Sequence, residues 1–403
     1  IVGKSTAQNA KFARRKEQAN LIHSPAYNLT QFLRPEGKET KIQEIIMHKK
    51  LFIPGPIEVK ENVLNKMSMP MIGHRSKDAS NLQRDISNNL RKLFFTKNEI
   101  LLSTSSGSGL MEAAVRCCTN ERVFSIGSFG DRWHEMAVSN GINADLFKSE
   151  PGSITTPSMV DRVLSLGKYD LVTITHNETS TGVMNPIEEI SKALKRYPDV
   201  IFCVDTVSSA GGVKIETDKL GIDICITSSQ KALGLPPGLS ICTISERAVE
   251  KARTIKNRGY YLDLVQLYDT VKKKDYQYPS TPNLSLMFAL KYQLDSIMEE
   301  GLDHRFKRHL SMAEYTRNWA KENFALFPDE KYASATLTTV KNTRNISVKK
   351  LNEELGKRGF AISNGYGDLK EKTFRIAHMG DLTLEDVKEL LLNIDDILSL
   401  HIV

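Results

Sequence analysis

The fold of this chain is decided by residues 200–238, which read VIFCVDTVSSAGGVKIETDKLGIDICITSSQKALGLPPG. Two apolar runs in this stretch, at 200–204 and 222–227, have the length of buried strands. A single acid, Asp205, follows the first run, and Lys231 follows the second just before a Gly/Pro turn. Buried strands of this kind, separated by helical segments, predict a mostly parallel sheet with helices on both faces.

The alternation of strands and helices continues outward from this stretch on both sides. Further buried strands are predicted at 99–102, 123–126 and 171–175, and helices at 81–95, 111–117 and 186–197, the last with Asn185 as its N-cap. After residue 283 the pattern changes to helices at 284–300, 304–324, 348–358 and 384–400, with short strands at 336–340 and 373–377. We therefore expect an α/β fold with a smaller C-terminal α+β domain.

The length of 403 residues suits two domains. We predict an N-terminal arm of unknown role at 1–50, a large α/β domain at 51–283 and a small α+β domain at 284–403. The first 16 residues contain five basic residues and no acid, which weakly resembles an organelle transit peptide, but a solvated arm is the preferred interpretation. A cytoplasmic location is therefore expected, with organelle targeting as the weaker alternative.

Composition excludes several classes of protein and of partner. The values of 40% hydrophobic and 26% charged residues are typical of a globular protein, and no apolar run is long enough to cross a membrane. The net charge of +7 suits anionic small molecules, and no basic motif with interleaved aromatic residues indicates nucleic acid. The five cysteines include no CxxC pair, so we expect neither a disulfide framework nor a metal site.

Four polar clusters are predicted to follow strands, where ligands bind in open α/β sheets. The turn SSGSG at 105–109 precedes a helix and could hold a phosphate, although a plain turn would look the same. The loop HNETSTG at 176–182 offers hydroxyl groups to a planar ligand. A carboxylate at the end of a buried strand, such as that of Asp205, needs a partner that compensates its burial. The alternative interpretation is that Asp205 caps a helix. Burial of Lys231 would lower its pKa and favour Schiff-base chemistry, the alternative being a surface lysine.

Together the four clusters predict one cofactor. Pyridoxal phosphate requires a phosphate cup, an acid that keeps the pyridine nitrogen protonated and a lysine for the aldehyde. The phosphate turn, Asp205 and Lys231 occur in this order along the chain.

At this point the chain resembles the class V, fold type I pyridoxal-phosphate aminotransferases over residues 51–400, and it is most similar to the alanine–glyoxylate and serine–pyruvate group. The resemblance rests on FIPGP at 52–56, GHRS at 73–76, SGSG at 106–109, HNETSTGV at 176–183, VDTVSSAGG at 204–212, SSQKALGLPPG at 228–238, YPSTP at 278–282 and FRI at 374–376.

The resemblance implies a role for each matched residue. The catalytic residues would be Lys231, which forms the Schiff base and moves the substrate proton, and Asp205, which pairs with the pyridinium nitrogen. The substrate α-carboxylate would bind Arg375, with Gly55 beside it, because a guanidinium forms a bidentate pair with a carboxylate. The remaining cofactor contacts would be Ser108, Gly109, Leu110 and Gln230 at the phosphate, Thr179 near the phenolic oxygen, Val207 and Phe129 on the ring faces, and Tyr278 and Thr281 supplied by the other subunit of a homodimer.

The resemblance also implies the activity, a ping-pong transamination from alanine or serine to glyoxylate or pyruvate. A transaminase acting on 2-aminoethylphosphonate is the nearest alternative, although its substrate has no α-carboxylate for Arg375. A lyase of the cysteine desulfurase type needs a nucleophilic cysteine on a late loop, whereas the last cysteine is Cys242. An inactive, cofactor-free binding subunit is the remaining alternative, and the presence of Asp205, Lys231 and Arg375 argues against it.

Overall fold

The computed structural model describes residues 48–400, which belong to one compact unit. The predicted arm at 1–50, apart from its last three residues, lies outside the described residues, as does its basic segment. Within the described residues the strands are β1 (Lys50–Phe52), β2 (Glu99–Ser103), β3 (Asn120–Ser125), β4 (Asn143–Lys148), β5 (Leu171–Thr175), β6 (Asn177–Glu178), β7 (Val183–Met184), β8 (Ile201–Asp205), β9 (Ile224–Ser228), β10 (Ser240–Ile244), β11 (Ala325–Leu326), β12 (Leu337–Lys341), β13 (Phe360–Asn364) and β14 (Thr373–Ala377).

The helices surround two of the sheets that these strands form. They are α1 (Glu61–Lys66), α2 (Lys77–Leu93), α3 (Gly107–Val115), α4 (Ser128–Ser139), α5 (Pro157–Leu164), α6 (Ile187–Leu194), α7 (Thr217–Leu220), α8 (Glu246–Arg253), α9 (Leu264–Lys273), α10 (Leu284–Glu300), α11 (Leu302–Asn323), α12 (Val348–Lys357) and α13 (Leu384–Leu398). Every helix predicted from the sequence is present, with ends displaced by up to four residues.

The larger sheet has seven strands in the order β2–β10–β9–β8–β5–β3–β4. Its pairs are parallel except those of β10, which runs antiparallel to both β2 and β9. All residues of β5, β8 and β9 are buried, since helices cover both faces. The predicted parallel sheet is confirmed, and it places the carboxyl ends of β2, β3, β5, β8 and β9 along one edge.

The smaller sheet has the order β1–β13–β14–β12–β11 and is antiparallel except for the β1–β13 pair. Its apolar face packs on α11, α12 and α13 in a second hydrophobic core. In β14, Arg375 lies between Thr339 of β12 and Ser363 of β13.

The two cores do not divide at a single point of the chain. Strand β1 pairs within the smaller sheet, whereas the buried side chains of α10 belong to the core of the larger sheet. The predicted domain boundaries near residues 51 and 283 therefore stay a prediction.

One predicted helix cap is wrong. Helix α6 begins at Ile187 with Pro186 at the N-cap position, so Asn185 lies outside the helix. The Asn185 side chain instead accepts a hydrogen bond from the Thr155 N–H at 2.8 Å and donates one to the Thr175 carbonyl at 2.9 Å. Asn185 therefore fixes the loop beyond β5.

Candidate active site

A cavity of about 390 Å³ opens at the carboxyl edge of the larger sheet. The predicted site residues that line it are Gly55, Ser108, Phe129, Thr179, Asp205, Val207, Gln230 and Lys231. The structure thus brings together residues that are up to 176 positions apart in the chain, counted from Gly55 to Lys231.

Asp205 is the last residue of β8 and is only 5% exposed. Its Oδ1 accepts a hydrogen bond from the Val207 N–H at 2.8 Å. Burial raises the pKa of Asp205 to about 7, against the opposing effect of that hydrogen bond and of the nearby Lys231. A carboxylate in this position is stabilised by a cationic partner in the cavity.

Lys231 is the third residue after β9, in the turn that leads away from the sheet. Its Nζ donates a hydrogen bond to the carbonyl oxygen of Pro54 and lies 6.0 Å from the centre of the Phe129 ring. Burial lowers the pKa of Lys231 to about 8, although Asp205 opposes the shift. A substantial fraction of this amine is therefore neutral near pH 8, as a nucleophilic lysine requires.

The helix after the glycine-rich turn begins earlier in the chain than predicted. Helix α3 already begins at Gly107, with Ser106 as N-cap, so the free N–H groups of the first turn come earlier than expected. Ser106, Gly107 and Ser108 line the cavity, whereas Gly109 and Leu110 do not. The Gly109 N–H donates to the Ser106 carbonyl at 2.9 Å, and the Leu110 side chain is buried. An anion at this helix end would thus bind residues 106–108.

Several polar atoms at the cavity lack a partner in the described part of the chain. Asn177 Oδ1, Ser228 Oγ and Gln230 Oε1 are buried and take part in no hydrogen bond there. A Cβ on Gly107 would lie 2.9 Å from a methyl group of Val207, so only glycine leaves this wall open. Unpaired polar groups around a cavity with a helix N-terminus at one side fit a polar, phosphate-bearing cofactor.

Phe129 is held in place by a buried acid. The Oε2 atom of Glu178 accepts hydrogen bonds from the N–H groups of Phe129 and Gly130, both at 3.0 Å, and its Oε1 accepts from the Ser180 N–H and hydroxyl. Burial raises the pKa of Glu178. Glu178 thus joins the 176–182 loop to the start of α4, which carries the predicted ring-stacking residue.

Sequence reasoning missed two large side chains of the cavity, Arg132 and Tyr366. The Tyr366 ring lies 5.6 Å from that of Phe129, and the Arg132 guanidinium lies 4.8 Å from the Phe129 ring centre. Arg132 follows Phe129 by three positions in α4, a helical spacing that could have indicated it. Tyr366 follows β13 in a connecting segment, and no sequence pattern pointed to it.

Arg375 does not line the cavity wall itself but lies directly behind it. Its Nε donates to the Asn364 carbonyl and its Nη1 to the Thr179 carbonyl, both at 3.0 Å. Its guanidinium lies 5.5 Å from the Tyr366 ring centre, and burial lowers its pKa to about 10. No described residue accepts a hydrogen bond from Nη2, so this atom is available to a ligand.

The expected contacts of Tyr278 and Thr281 with the phosphate of the other subunit both stay predictions, and the two residues differ in their surroundings. Tyr278 is 5% exposed, and its hydroxyl accepts a hydrogen bond from the Leu102 N–H of its own chain at 3.0 Å. Its carbonyl and that of Pro279 accept from the Arg75 guanidinium, which fixes the segment further. The Tyr278 side chain is thus buried and hydrogen-bonded within its own chain, whereas Thr281 is exposed.

The described residues offer no reactive thiol to this cavity. All five cysteines are free and buried, and burial raises their pKa values, that of Cys117 to about 12. Over residues 48–400 no three His, Cys, Asp or Glu side chains are grouped to hold a metal ion. Within the same range no helix has the length and apolar character needed to span a membrane.

Comparisons with known proteins agree with this geometry. The aminotransferase class-V family profile matches residues 64–390. The chain is 40% identical over 342 residues to an uncharacterized aminotransferase of Methanocaldococcus jannaschii, covering 82% of this chain and 88% of that one. It is 30% identical over 350 residues to a serine–glyoxylate aminotransferase of Methylorubrum extorquens, covering 82% and 86%. The crystal structure of an alanine–glyoxylate aminotransferase from Nostoc sp. superposes with a TM-score of 0.82 at 27% identity, covering 93% and 100%.

Proposed function

This chain belongs to the class-V aminotransferase family and is a pyridoxal-phosphate-dependent aminotransferase of fold type I, and we propose that it transfers an amino group from alanine or serine to glyoxylate or pyruvate. The observation that carries the proposal is the common cavity of Lys231 and Asp205, with a free guanidinium nitrogen of Arg375 just behind its wall.

Pyridoxal phosphate, when bound, supplies an aldehyde that combines with amines and a ring that withdraws electrons from the substrate Cα. The first-turn amides at 106–108, together with Gln230, would hold its phosphate. The Asp205 carboxylate would keep a proton on the pyridine nitrogen, and the resulting ion pair would compensate the burial of Asp205.

Lys231 would use Nζ to move a proton from Cα of the amino donor to C4′ of the cofactor in the first half-reaction, and in the reverse direction, to Cα of the acceptor, in the second. Its amine is suited to this because burial lowers its pKa to about 8, close to working pH. The hydrogen bond to Pro54 holds Nζ at the cavity wall. Two half-reactions, one releasing the keto acid and one taking up the acceptor, constitute a ping-pong cycle.

The proposed substrate class rests on Arg375 and on the relatives. Arg375 is held by two backbone carbonyls with Nη2 left over, an arrangement suited to a substrate carboxylate. Relatives at 29–30% identity over at least 82% of this chain are named serine–, alanine– or aspartate–glyoxylate aminotransferases. Small donors and a small 2-oxo acid are the common features.

An aminophosphonate donor is the second candidate, and one observation favours it. The Arg132 guanidinium lines the cavity and forms no hydrogen bond or ion pair with any described residue, so it is available to a phosphonate. A lyase of the cysteine desulfurase type is not supported, because Cys242 lies in the middle of β10 and is fully buried, so it cannot act as a nucleophile on a loop.

We propose that the enzyme is a homodimer with shared active sites. Thr281 is exposed, as are Tyr260 and Tyr261, and all three line one surface pocket. Exposed tyrosines are typical of protein interfaces. A second copy of the chain covering this surface would bring Thr281 to the neighbouring phosphate, as the family resemblance implies.

The test is the visible absorption spectrum of the purified protein during addition of single donors. Alanine or serine should remove the band of cofactor bound at Lys231, and glyoxylate or pyruvate should restore it. Loss of the band with 2-aminoethylphosphonate alone would replace the carboxylate donors by the second candidate. A spectrum that no donor changes would contradict both.

A further inference from the structure

Arg305 connects the two chain segments that leave Asp205 and Lys231. Its side chain is 1% exposed and lies outside the active-site cavity. Its Nε donates to the Gly211 carbonyl at 2.8 Å, and its Nη2 donates to the Ala232 carbonyl at 2.9 Å. Gly211 lies in the loop that follows Asp205, and Ala232 directly follows Lys231. One rigid guanidinium thus spans both loops.

Two acids hold this guanidinium in place. Nη1 of Arg305 donates to Glu300 at 2.8 Å and to Asp381 at 3.1 Å. The interior accommodates a buried cation only when it is paired in this way. Both carboxylates lie outside the two loops, so they fix the arginine independently of the site.

A second side chain secures the same turn. Nε2 of Gln293 in α10 donates to the Leu233 carbonyl at 2.9 Å and to Asp381 at 2.8 Å. Gly234 has φ +81°, and a Cβ there would lie 2.6 Å from Nε2 of Gln293, so the turn and the amide are closely packed. The carbonyls of two successive residues after Lys231 are therefore bonded to α10 and α11.

We propose that Arg305 is a positioning residue of the active site, which sets the location of the Lys231 amine relative to the Asp205 carboxylate by bonding to both loops. The proposal rests on the proposed roles of these two residues and is independent of the amino donor. Since misplacement of a reacting group by about 1 Å can reduce a rate about 100-fold, a bond this far from the substrate can control turnover.

The decisive variant is Arg305→Lys, because lysine keeps the charge opposite Glu300 and Asp381 but cannot span both carbonyls. Arg308→Lys is the matched control. Arg308 lies one helical turn further and bonds Glu300 at 2.7 Å, but its other acceptors are the Gly380 and Leu382 carbonyls, which belong to neither loop. Cofactor-loaded wild type and both variants are compared.

For Arg305→Lys we expect kcat to fall about 10- to 100-fold, with KM changed less than about threefold. Amide hydrogen exchange at 231–235 should accelerate about tenfold or more. The pH midpoint of the cofactor band should also move, whereas Arg308→Lys should match wild type in all three. Equal behaviour of the two variants, or an unchanged Arg305→Lys enzyme, would overturn the proposal.

Gln293→Met keeps the test informative should Arg305→Lys not fold, since it removes a bond to the same turn without stranding a charge. Like Arg305→Lys, this variant should accelerate amide hydrogen exchange at 231–235, and unchanged exchange would count against the proposal. A wild-type enzyme that binds the cofactor at Lys231 but ignores alanine and serine would contradict the proposed function alone.

Discussion

The Lys231 amine donates a hydrogen bond to the carbonyl oxygen of Pro54, 177 residues away in the chain. The segment between β1 and α1 therefore forms the wall against which Nζ rests. The next residue, Gly55, has φ +140°, and a Cβ on it would lie 2.7 Å from Nζ. The position of the amine thus depends on a distant glycine as well as on its own turn.

Lys231→Ala should abolish transamination while the cofactor still binds noncovalently. The side chain supplies both the amine for the aldehyde and the base for the Cα proton, and loss of general-base catalysis alone costs about 10²- to 10⁴-fold. Borohydride reduction and peptide mass spectrometry should find the cofactor on Lys231 in wild type and on no lysine in the variant. Lys214→Ala, at an exposed lysine that pairs with Glu216, is the control and should behave as wild type. A labelled peptide lacking residue 231 would refute the assignment.

Gly55→Ala should reduce activity strongly, because the new methyl group occupies the space of the Lys231 amine and the backbone angle disfavours a side chain. Gly141→Ala is the matched control, since Gly141 also has a positive φ, +72°, but no atom within 4 Å of its ideal Cβ. Both variants should lose some thermal stability, and only Gly55→Ala should lose the cofactor band. An active Gly55→Ala enzyme with a normal spectrum would show that Nζ can move away from Pro54.

Much of this architecture could be predicted from local sequence patterns. The runs ending near Asp205 and Lys231 are apolar, short and followed by polar turns, so their burial and their common edge follow from the rules for parallel sheets. Strand β10 was missed because it runs antiparallel between β2 and β9, and no helix precedes it to mark the alternation. Contacts such as those of Arg305 and Tyr366 depend on how distant segments pack, which no local pattern encodes.

The register of the phosphate turn shows a second limit. The motif SGSG indicated a helix N-terminus, but not which residue starts the helix. The structure begins α3 at Gly107 and places Ser106, Gly107 and Ser108 at the cavity, whereas the phosphate contacts expected at Gly109 and Leu110 stay a prediction. Tyr278 matched a family segment, yet its hydroxyl bonds Leu102 of its own chain, a contact that the motif alone could not reveal.

Asp205→Asn should stabilise the cofactor-free protein at alkaline pH while weakening cofactor binding. Burial raises the pKa of Asp205 from 3.8 to about 7, so its folded state retains a proton that the unfolded state releases. The protonated carboxyl of Asp205 therefore contributes fully to the free energy of unfolding below pH 3.8. This contribution declines as the pH rises from 3.8 through 7 and is lost above that value. The asparagine variant avoids the loss, and its gain in unfolding free energy should grow from about 1.5 kcal/mol at pH 5 to about 4 kcal/mol at pH 8.

Thermal or urea unfolding of the cofactor-free protein at several pH values checks the first part, and cofactor titration the second. The two effects should have opposite signs, because the carboxylate is costly without a cationic partner and favourable with one. If the difference in unfolding free energy between Asp205→Asn and wild type is the same at pH 5 and at pH 8, Asp205 does not titrate in this range.

Arg375→Lys should raise KM for alanine and serine about 10-fold or more, because one ammonium cannot replace the guanidinium that bonds Asn364, Thr179 and a substrate carboxylate together. The effect on 2-aminoethylphosphonate, which lacks that carboxylate, should be much smaller. Arg317→Lys is the matched control, since Arg317 also bonds two backbone carbonyls, those of Ala333 and Ser334 at 2.7 Å. Neither of these acceptors lines the cavity, whereas Thr179, an acceptor of Arg375, does.

The comparison of donors separates two roles of Arg375. Because its Nη1 bonds the Thr179 carbonyl, the substitution also loosens a residue of the cavity wall, and this loss would affect every donor equally. A selective rise in KM for carboxylate donors therefore indicates direct binding through Nη2. An equal decline with all donors, mainly in kcat, would instead assign Arg375 to holding the 176–182 loop, and the carboxylate contact would have to be sought at Arg132.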